Sequence, residues 1–170
     1  SISRQQVQRL ATETDGWALA LQMVWQSMQR GVGLEGVLAR LPATLENLFD
    51  YLAPEVLARQ PQEVQQFLVK TSILRQLGVQ SCNALLDRQD SESLLRRLHE
   101  GGMFIDLIGA EAYRYQRLFQ EFLQNQLSHE DEQARDLHRR AAEYFTQAGQ
   151  QEESIYHLLE AGDMEAASEL

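Results

Sequence analysis

The chain has 170 residues, 44% hydrophobic and 24% charged, which suits a globular protein with one sizeable core or two to three small helical layers. Its formal charge is −10, from 25 acidic and 15 basic side chains, and a surface this acidic repels phosphate backbones. Three prolines and ten glycines argue against a loop-rich or β-rich fold, and the single cysteine, Cys82, excludes an internal disulfide or a CxxC metal clip.

Ser3 is placed to cap a first helix, with Val7, Leu10 and Ala11 following at helical spacing. Asp15-Gly16 is expected to end it. A second helix runs from about Trp17, with Leu21, Val24, Trp25 and Met28 on one face, and stops at Gly31-Val32-Gly33. Leu34, Val37, Leu38 and Leu41 form a short helix ahead of Pro42, after which Leu45, Leu48, Phe49 and Leu52 make a new stripe. Pro54 and Pro61 each suit the first turn of a further helix, where a missing N–H costs nothing. The second of these carries Val64, Phe67, Leu68 and Ile73 as its apolar stripe.

Next, Ser81 is expected to cap CNALLDR, and Asp90 or Ser91 to cap SESLLRRLHE, which Gly101-Gly102 ends through a left-handed residue. Residues 103–127 are the most informative stretch. MFIDLI, a Gly109-Ala110-Glu111 turn and YRYQ read as a β-hairpin, followed by an amphipathic helix. Three helices, a hairpin and a closing helix make a winged helix. From Glu132 the chain is helical again, with Ala148-Gly149-Gln150 and Ala161-Gly162-Asp163 ending helices 13 residues apart, as helical-hairpin repeats do. One such pair buries its apolar face against a neighbour, so the chain reads as a fragment that stops at the start of a solenoid. The expected class is therefore mainly α: a helical subdomain (1–44), a winged helix with one small β-hairpin (45–128), and the first repeats of a TPR-like α-solenoid (129–170).

The runs FDYLAPEVLARQPQEVQQFLVKTSIL, LLRRLHEGGMFIDLI, YRYQRLFQEFL and LHRRAAEYFTQAG, with TETDGWALALQ before them, resemble the large LuxR-type, MalT-like regulators. The blocks occur in the same order and cover nearly the whole chain. The resemblance implies a signal-transduction ATPase with a nucleotide-binding domain, a helical subdomain, a winged helix, a helical-repeat sensor and a C-terminal DNA-binding helix-turn-helix. ATP or ADP would then be the cofactor of the intact protein, with none expected for this stretch. Expected partners are its own nucleotide-binding domain, an inducer or regulatory protein on the downstream repeats, and other copies in self-association. DNA would be reached through the C-terminal domain alone, and no membrane is involved. No GxxxxGK[ST] loop is present, so no cradle of backbone amides for phosphates is read here.

In this family a Gly-Trp-Pro turn packs near the adenine, and a histidine opening the closing helix, in YRYHxLF, reaches the terminal phosphate of ADP. The matching positions are Gly16-Trp17-Ala18 and Gln116. Alanine leaves the turn less rigid than proline. Gln116 still donates an amide hydrogen bond but carries no charge, so Arg114 or Arg117 would supply the cation. The plain alternative is that Gly16 stops a helix, Trp17 is core and Gln116 caps a helix. The aromatic cluster Tyr113, Tyr115, Phe119 and Phe122 reads as winged-helix core, and Cys82 as a small buried apolar residue.

Enzyme chemistry finds little support. His99, His129, His138 and His157 fall on separate elements with no i, i+4 partner and no HExxH, and His99 suits a helix C-terminus. The N-terminus SISRQQV has no basic stretch leading into an apolar one, and no run reaches the roughly 18 apolar residues of a membrane span, so a cytoplasmic location is expected. Two functions stay open: a regulatory arm coupling nucleotide state to a sensor and to self-association, or an interaction scaffold that has lost nucleotide control. Direct DNA binding is disfavoured by the acidic wing IGAEA. The double substitution Arg96→Glu with Arg97→Glu is accordingly expected to leave duplex binding at background in an electrophoretic shift assay; abolition of measurable wild-type binding by it would overturn that expectation.

Overall fold

The computed structural model describes all residues except 1–2, 15–17, 32, 110–111, 128–131 and 170, and describes backbone alone at 13–14, 18–20, 22–23, 42 and 45–51. Two compact units emerge, Ser1–Val56 and Leu57–Leu170. The expected turn at Asp15-Gly16 lies outside the described residues.

In the first unit, α1 (Arg4–Thr14) begins with a capping box. The Gln6 amide N–H donates to Ser3 Oγ at 3.2 Å while Gln6 Oε1 accepts from the Ser3 N–H at 2.9 Å. Val24 of α2 (Ala18–Gln29) is buried, but Leu21 and Trp25 are exposed, Trp25 at 61%. The expected four-residue stripe of α2 is thus only partly inward. α3 (Leu34–Ala58) corrects a larger expectation, because the helix runs unbroken through both Pro42 and Pro54. Each proline forfeits one backbone bond. Val37, Leu38, Leu41, Ala53 and Leu57 are nevertheless buried at helical spacing, and that burial holds the rod together. Gln6 Nε2 and Arg9 both reach Glu35, tying α1 to the start of α3.

In the second unit, α4 (Gln62–Thr71) starts just after Pro61 and buries Val64, Phe67, Leu68 and Thr71, as its spacing predicts, with Ile73 buried beyond its end. The chain then forms a two-residue strand, β1 (Leu77–Gly78), and enters α5 (Val79–Leu86). Ser81 is therefore the third residue of α5, in its first turn, and its hydroxyl donates back to the Gly78 carbonyl at 3.0 Å instead of capping. α5 ends on Asp87 in the left-handed region, φ 50°, with the Arg88 N–H returning to the Asn83 carbonyl. α6 (Ser91–Glu100) follows Asp90, yet neither Asp90 nor Ser91 caps it with a side chain. Asp90 is instead gripped by both sides of the Arg88 guanidinium, at 2.6 and 2.8 Å, and Asn83 Oδ1 accepts the Ser91 N–H at 3.2 Å. Arg88 also reaches Glu63 and lies over the Phe67 ring, so one cation closes the corner among α4, α5 and α6.

Gly102, at φ 68°, ends α6 as expected: its N–H meets the His99 carbonyl, and the Met103 N–H meets that of Leu98. β2 (Ile105–Ile108) and β3 (Ala112–Tyr115) pair antiparallel, Ile105 opposite Tyr115 and Ile108 opposite Ala112. The three-stranded sheet has the order β1-β3-β2, so the hairpin gains a short third strand that the sequence reading omitted. Tyr113, Ala112 and their neighbours thereby sit at the sheet centre. α7 (Arg117–Gln126) lays Phe119 and Leu123 into the core beside Phe67, Leu68, Leu74, Leu77, Leu85 and Leu95, all essentially inaccessible. Each of these large side chains contributes about 1.5–3 kcal/mol on burial. Gln120 and Gln124 donate to the Ser72 and Leu74 carbonyls at 2.8–3.0 Å, locking α7 over the turn after α4.

α8 (Glu132–Gln147) and α9 (Gln151–Ala161) form an antiparallel hairpin, and the short α10 (Met164–Ser168) packs on α9. Gly149 and Gly162 end their helices at positive φ, as read from the sequence. α8 also packs on α5, which seats the hairpin on the winged helix. Small residues line the α8–α9 seam. Ser154 Oγ donates to the Ala142 carbonyl at 3.1 Å and meets Thr146 Oγ1 at 2.6 Å.

Two outcomes check this arrangement. Tyr115→Phe, which deletes a buried hydroxyl bonded to Thr71, is expected to cost about 1 kcal/mol in urea unfolding. Gly162→Ala faces no atom within 4 Å yet holds φ 84°, so a loss of about 1–2 kcal/mol is expected from backbone conformation alone.

Candidate functional site

The corner where β3 meets α7 is built by aromatic burial and one backbone bond. Tyr115 is 3% exposed, and its hydroxyl meets Thr71 Oγ1 at 2.7 Å and the Leu68 carbonyl at 3.4 Å. Burial pushes the phenol well above its ordinary pKa, with the Thr71 hydrogen bond opposing. It is a structural group with no proton to exchange near neutrality. Phe119 lies against Tyr115 at 5.9 Å and Phe104 at 5.1 Å between ring centroids, so Tyr115 and Phe119 are core as expected, whereas Tyr113 and Phe122 are only half-buried. Phe104 itself sits at φ 54°, a conformation that a non-glycine residue adopts at a cost. Its carbonyl accepts the Gln116 N–H at 2.8 Å, closing the base of the hairpin.

That bond leaves Gln116 extended (φ −61°, ψ 137°) at the N-cap of α7, with no capping bond from its side chain and no acid in the first helical turn. A helix start of this kind presents backbone N–H groups and the positive end of its dipole. Arg114 and Gln116 therefore lie on either side of the buried Tyr115, Arg114 exposed on β3 with its Cα opposite Asp106. Arg117 forms an ion pair with Glu121 at 2.8 Å, one helical turn along. Of the other candidate positions, Gly16 and Trp17 lie outside the described residues, and Ala18 is the first residue of α2.

A cleft of about 740 Å³ lies elsewhere, between Gly78, Val79, Gln80, Glu92, Arg96, Tyr113 and Tyr144, where the wing meets α8. Neither Arg114 nor Gln116 lines it. Among the described residues no group of three or more His, Cys, Asp or Glu side chains is arranged to hold a metal. Cys82 is fully buried and its thiol is pushed up to about 12 by burial, so it is inert as a nucleophile. No described helix is long and apolar enough to cross a membrane.

Two histidines dismissed for their sequence spacing meet in space. His138 of α8 and His157 of α9 bring Nδ1 to Nδ1 at 2.9 Å. His157 is wholly buried and stacks on Phe145 at 5.5 Å with rings 3° from parallel. The available signal was periodicity: His138 follows Ala134 by four residues and precedes Ala142 by four, while His157 lies between Ser154 and Ala161. Arg75 was also passed over. Its guanidinium stands 4.1 Å above the Tyr156 ring and reaches Glu153 at 3.3 Å, joining the winged helix to α9. His99, expected as a helix-end charge, holds the Ile105 carbonyl through Nδ1 at 2.9 Å and so anchors the hairpin to α6.

Residues 53–135 match the MalT winged helix domain. The chain is 31% identical to the HTH-type transcriptional regulator MalT of Cronobacter sakazakii, over 93% of its own length and 18% of that protein's. It is 32% identical to the MalT of Yersinia pestis, over 92% of its length and 18% of the relative. Similarity extends to the serine/threonine-protein kinase PknK of Mycobacterium tuberculosis, 28% identical over 99% of this chain and 16% of that protein. The chain thus spans less than a fifth of the length of these curated relatives. Helices α4–α6, the three-stranded sheet and α7 all lie inside the matched segment, so residues 53–135 belong to the MalT winged helix domain family, and the chain is similar to MalT regulators along nearly its whole length.

Proposed function

We propose that this chain is the regulatory arm of an ATP-dependent, inducer-responsive transcription activator. In this reading the helical subdomain (1–44) and winged helix (45–128) fold over a nucleotide-binding domain when ADP is bound. The residues from 129 onward open a TPR-like sensor, which binds an inducer or regulatory protein and biases the arm toward an open, self-associating state. Such a switch needs two arrangements, each preferred by one ligand. Operator DNA would be bound by a separate C-terminal domain, and the arm itself performs no catalysis. The protein would work in the cytoplasm.

The observation that carries this reading is the alignment of MalT regulators along more than nine-tenths of the chain. The kinase relative adds an independent argument. One arm serves a protein named as a regulator and another named as a kinase, so its own task is better sought in transmission than in either output. Locally, the uncapped start of α7 suits an anion: Gln116 adds an amide donor, and Arg114 and Arg117 add positive charge beside it. The competing scaffold reading draws on Gln116 and Ala18, which replace the family's phosphate-reading histidine and its rigid proline.

Titration of the full-length protein carrying this arm with ADP and ATP, by calorimetry, separates the two. On the regulatory reading the wild type binds ADP, and Gln116→His tightens it about five- to tenfold, because a charged donor exceeds a neutral one by about 1 kcal/mol. Absence of ADP binding in both proteins would establish the scaffold instead.

A further inference from the structure

The turn after α4 is held from two sides. On one side α7 grips its backbone: Gln120 Nε2 donates to the Ser72 and Leu74 carbonyls at 2.8 and 3.0 Å, and Gln124 Nε2 donates to Ser72 at 2.9 Å. Carbonyls just past a helix end have no ladder to join, and these side-chain amides complete them. Ile73, Leu74 and Leu77 are buried, which leaves Arg75 and Gln76 exposed. On the other side Arg75 reaches α9. Its guanidinium lies 4.1 Å from the centre of the Tyr156 ring and pairs with Glu153 at 3.3 Å and Glu152 at 3.8 Å. Tyr156 is set edge-on to both His138 of α8 and His157 of α9, so its ring belongs to the seam of the hairpin.

Peptide planarity sets these two grips in series. The Leu74 carbonyl and the Arg75 N–H belong to one rigid peptide unit. The hydrogen bond from Gln120 to that carbonyl therefore fixes the plane from which the Arg75 side chain departs. Without it the carbonyl is free to turn toward water, and the plane turns with it. Gln120 also has a partner at the other end of the route. Its own N–H donates to the Gln116 carbonyl at 3.0 Å, the first rung of α7 at the candidate anion corner. Every step from Gln116 to Tyr156 is thus a direct contact.

We propose that Gln120 and Arg75 are the positioning residues that transmit between the start of α7 and the α8–α9 hairpin: Gln120 orients the Leu74–Arg75 peptide, and Arg75 holds α9 through the face of Tyr156. This rests on the reading of the chain as a transmitting arm, while the contacts themselves need no nucleotide. A guanidinium is required at the far end, because a lysine ammonium pairs with Glu153 but cannot lie flat on the ring. The path counts as coupling when removal of one contact changes the worth of the other.

A double-mutant cycle on the whole chain, without nucleotide, tests this, with the opening equilibrium of the α9 amides read by hydrogen exchange at fixed pH. Arg75→Ala is expected to raise opening about three- to tenfold, through loss of a half-exposed ion pair and a cation–π contact. In a Gln120→Met background, which keeps side-chain length but has no donor, the effect of Arg75→Ala should shrink by at least about twofold. Arg75→Lys should leave most of the loss in place. Tyr156 ring resonances give a second reading. Gln120→Met should move them toward their Arg75→Ala positions, although among the described residues the Gln120 amide bonds the turn and nothing in α9. Additive substitutions, unmoved Tyr156 resonances or full rescue by Arg75→Lys would each overturn the proposal. Should Gln120→Met fail to fold, Gln120→Asn, whose shorter side chain draws the amide back from the turn, takes its place under the same criteria. A missing ADP signal in the calorimetric titration leaves this cycle untouched, and additivity here leaves ADP binding untouched, so the two readings fail separately.

Discussion

A buried hydroxyl pair, Tyr115 with Thr71, fixes how the wing sits on its helices. The tyrosine ends β3, the threonine ends α4, and their 2.7 Å contact lies where water cannot compete. Such a bond is modest in net stability but expensive to leave half-made, so it selects one register and one docking angle. Once Tyr115 is held, the next residue must take its N–H to the Phe104 carbonyl, and α7 must begin there. The position of Gln116, and with it the candidate anion site, follows from that pin. Gln120 and Gln124 then close α7 over the same end of α4.

The hairpin, its closing helix and the glycine-ended helices α8 and α9 were legible because each has a local cause. A left-handed glycine, an alternating apolar run or a 3.6-residue stripe can be seen within a dozen residues. What escaped was decided at longer range. Pro42 and Pro54 look like breaks, but the neighbours buried beside them outweigh the bonds the prolines forfeit. Asp90 looks like a cap until Arg88 claims it and Asn83, from another helix, supplies the acceptor. β1 is two residues long, too short to show any alternation. Its presence depends on β3 offering an edge.

The same division holds for the candidate site. Arg114 and Gln116 could be placed at the hairpin–helix corner from sequence, since both flank an aromatic that had to be core. The histidine pair could not be found by motif spacing, because 19 residues separate its members along the chain and a helical turnaround brings them together. Reading which face of α8 and α9 each histidine occupies would have been the productive approach. Both fall in line with alanines that the seam buries, at places where an imidazole has no water to speak to.

Arg75 links the winged helix to α9 through partners that are partly in water: Glu152 is 93% exposed, Glu153 27%, and the arginine itself 47%. Contacts of this kind sit within reach of mobile ions, whose screening length shrinks from about 10 Å at 0.1 M to about 3 Å at 1 M. The apolar seat of α8 on α5 is indifferent to that change. Dissolved electrolyte therefore weakens the Arg75 link to α9 while leaving the packing of α8 on α5 in place.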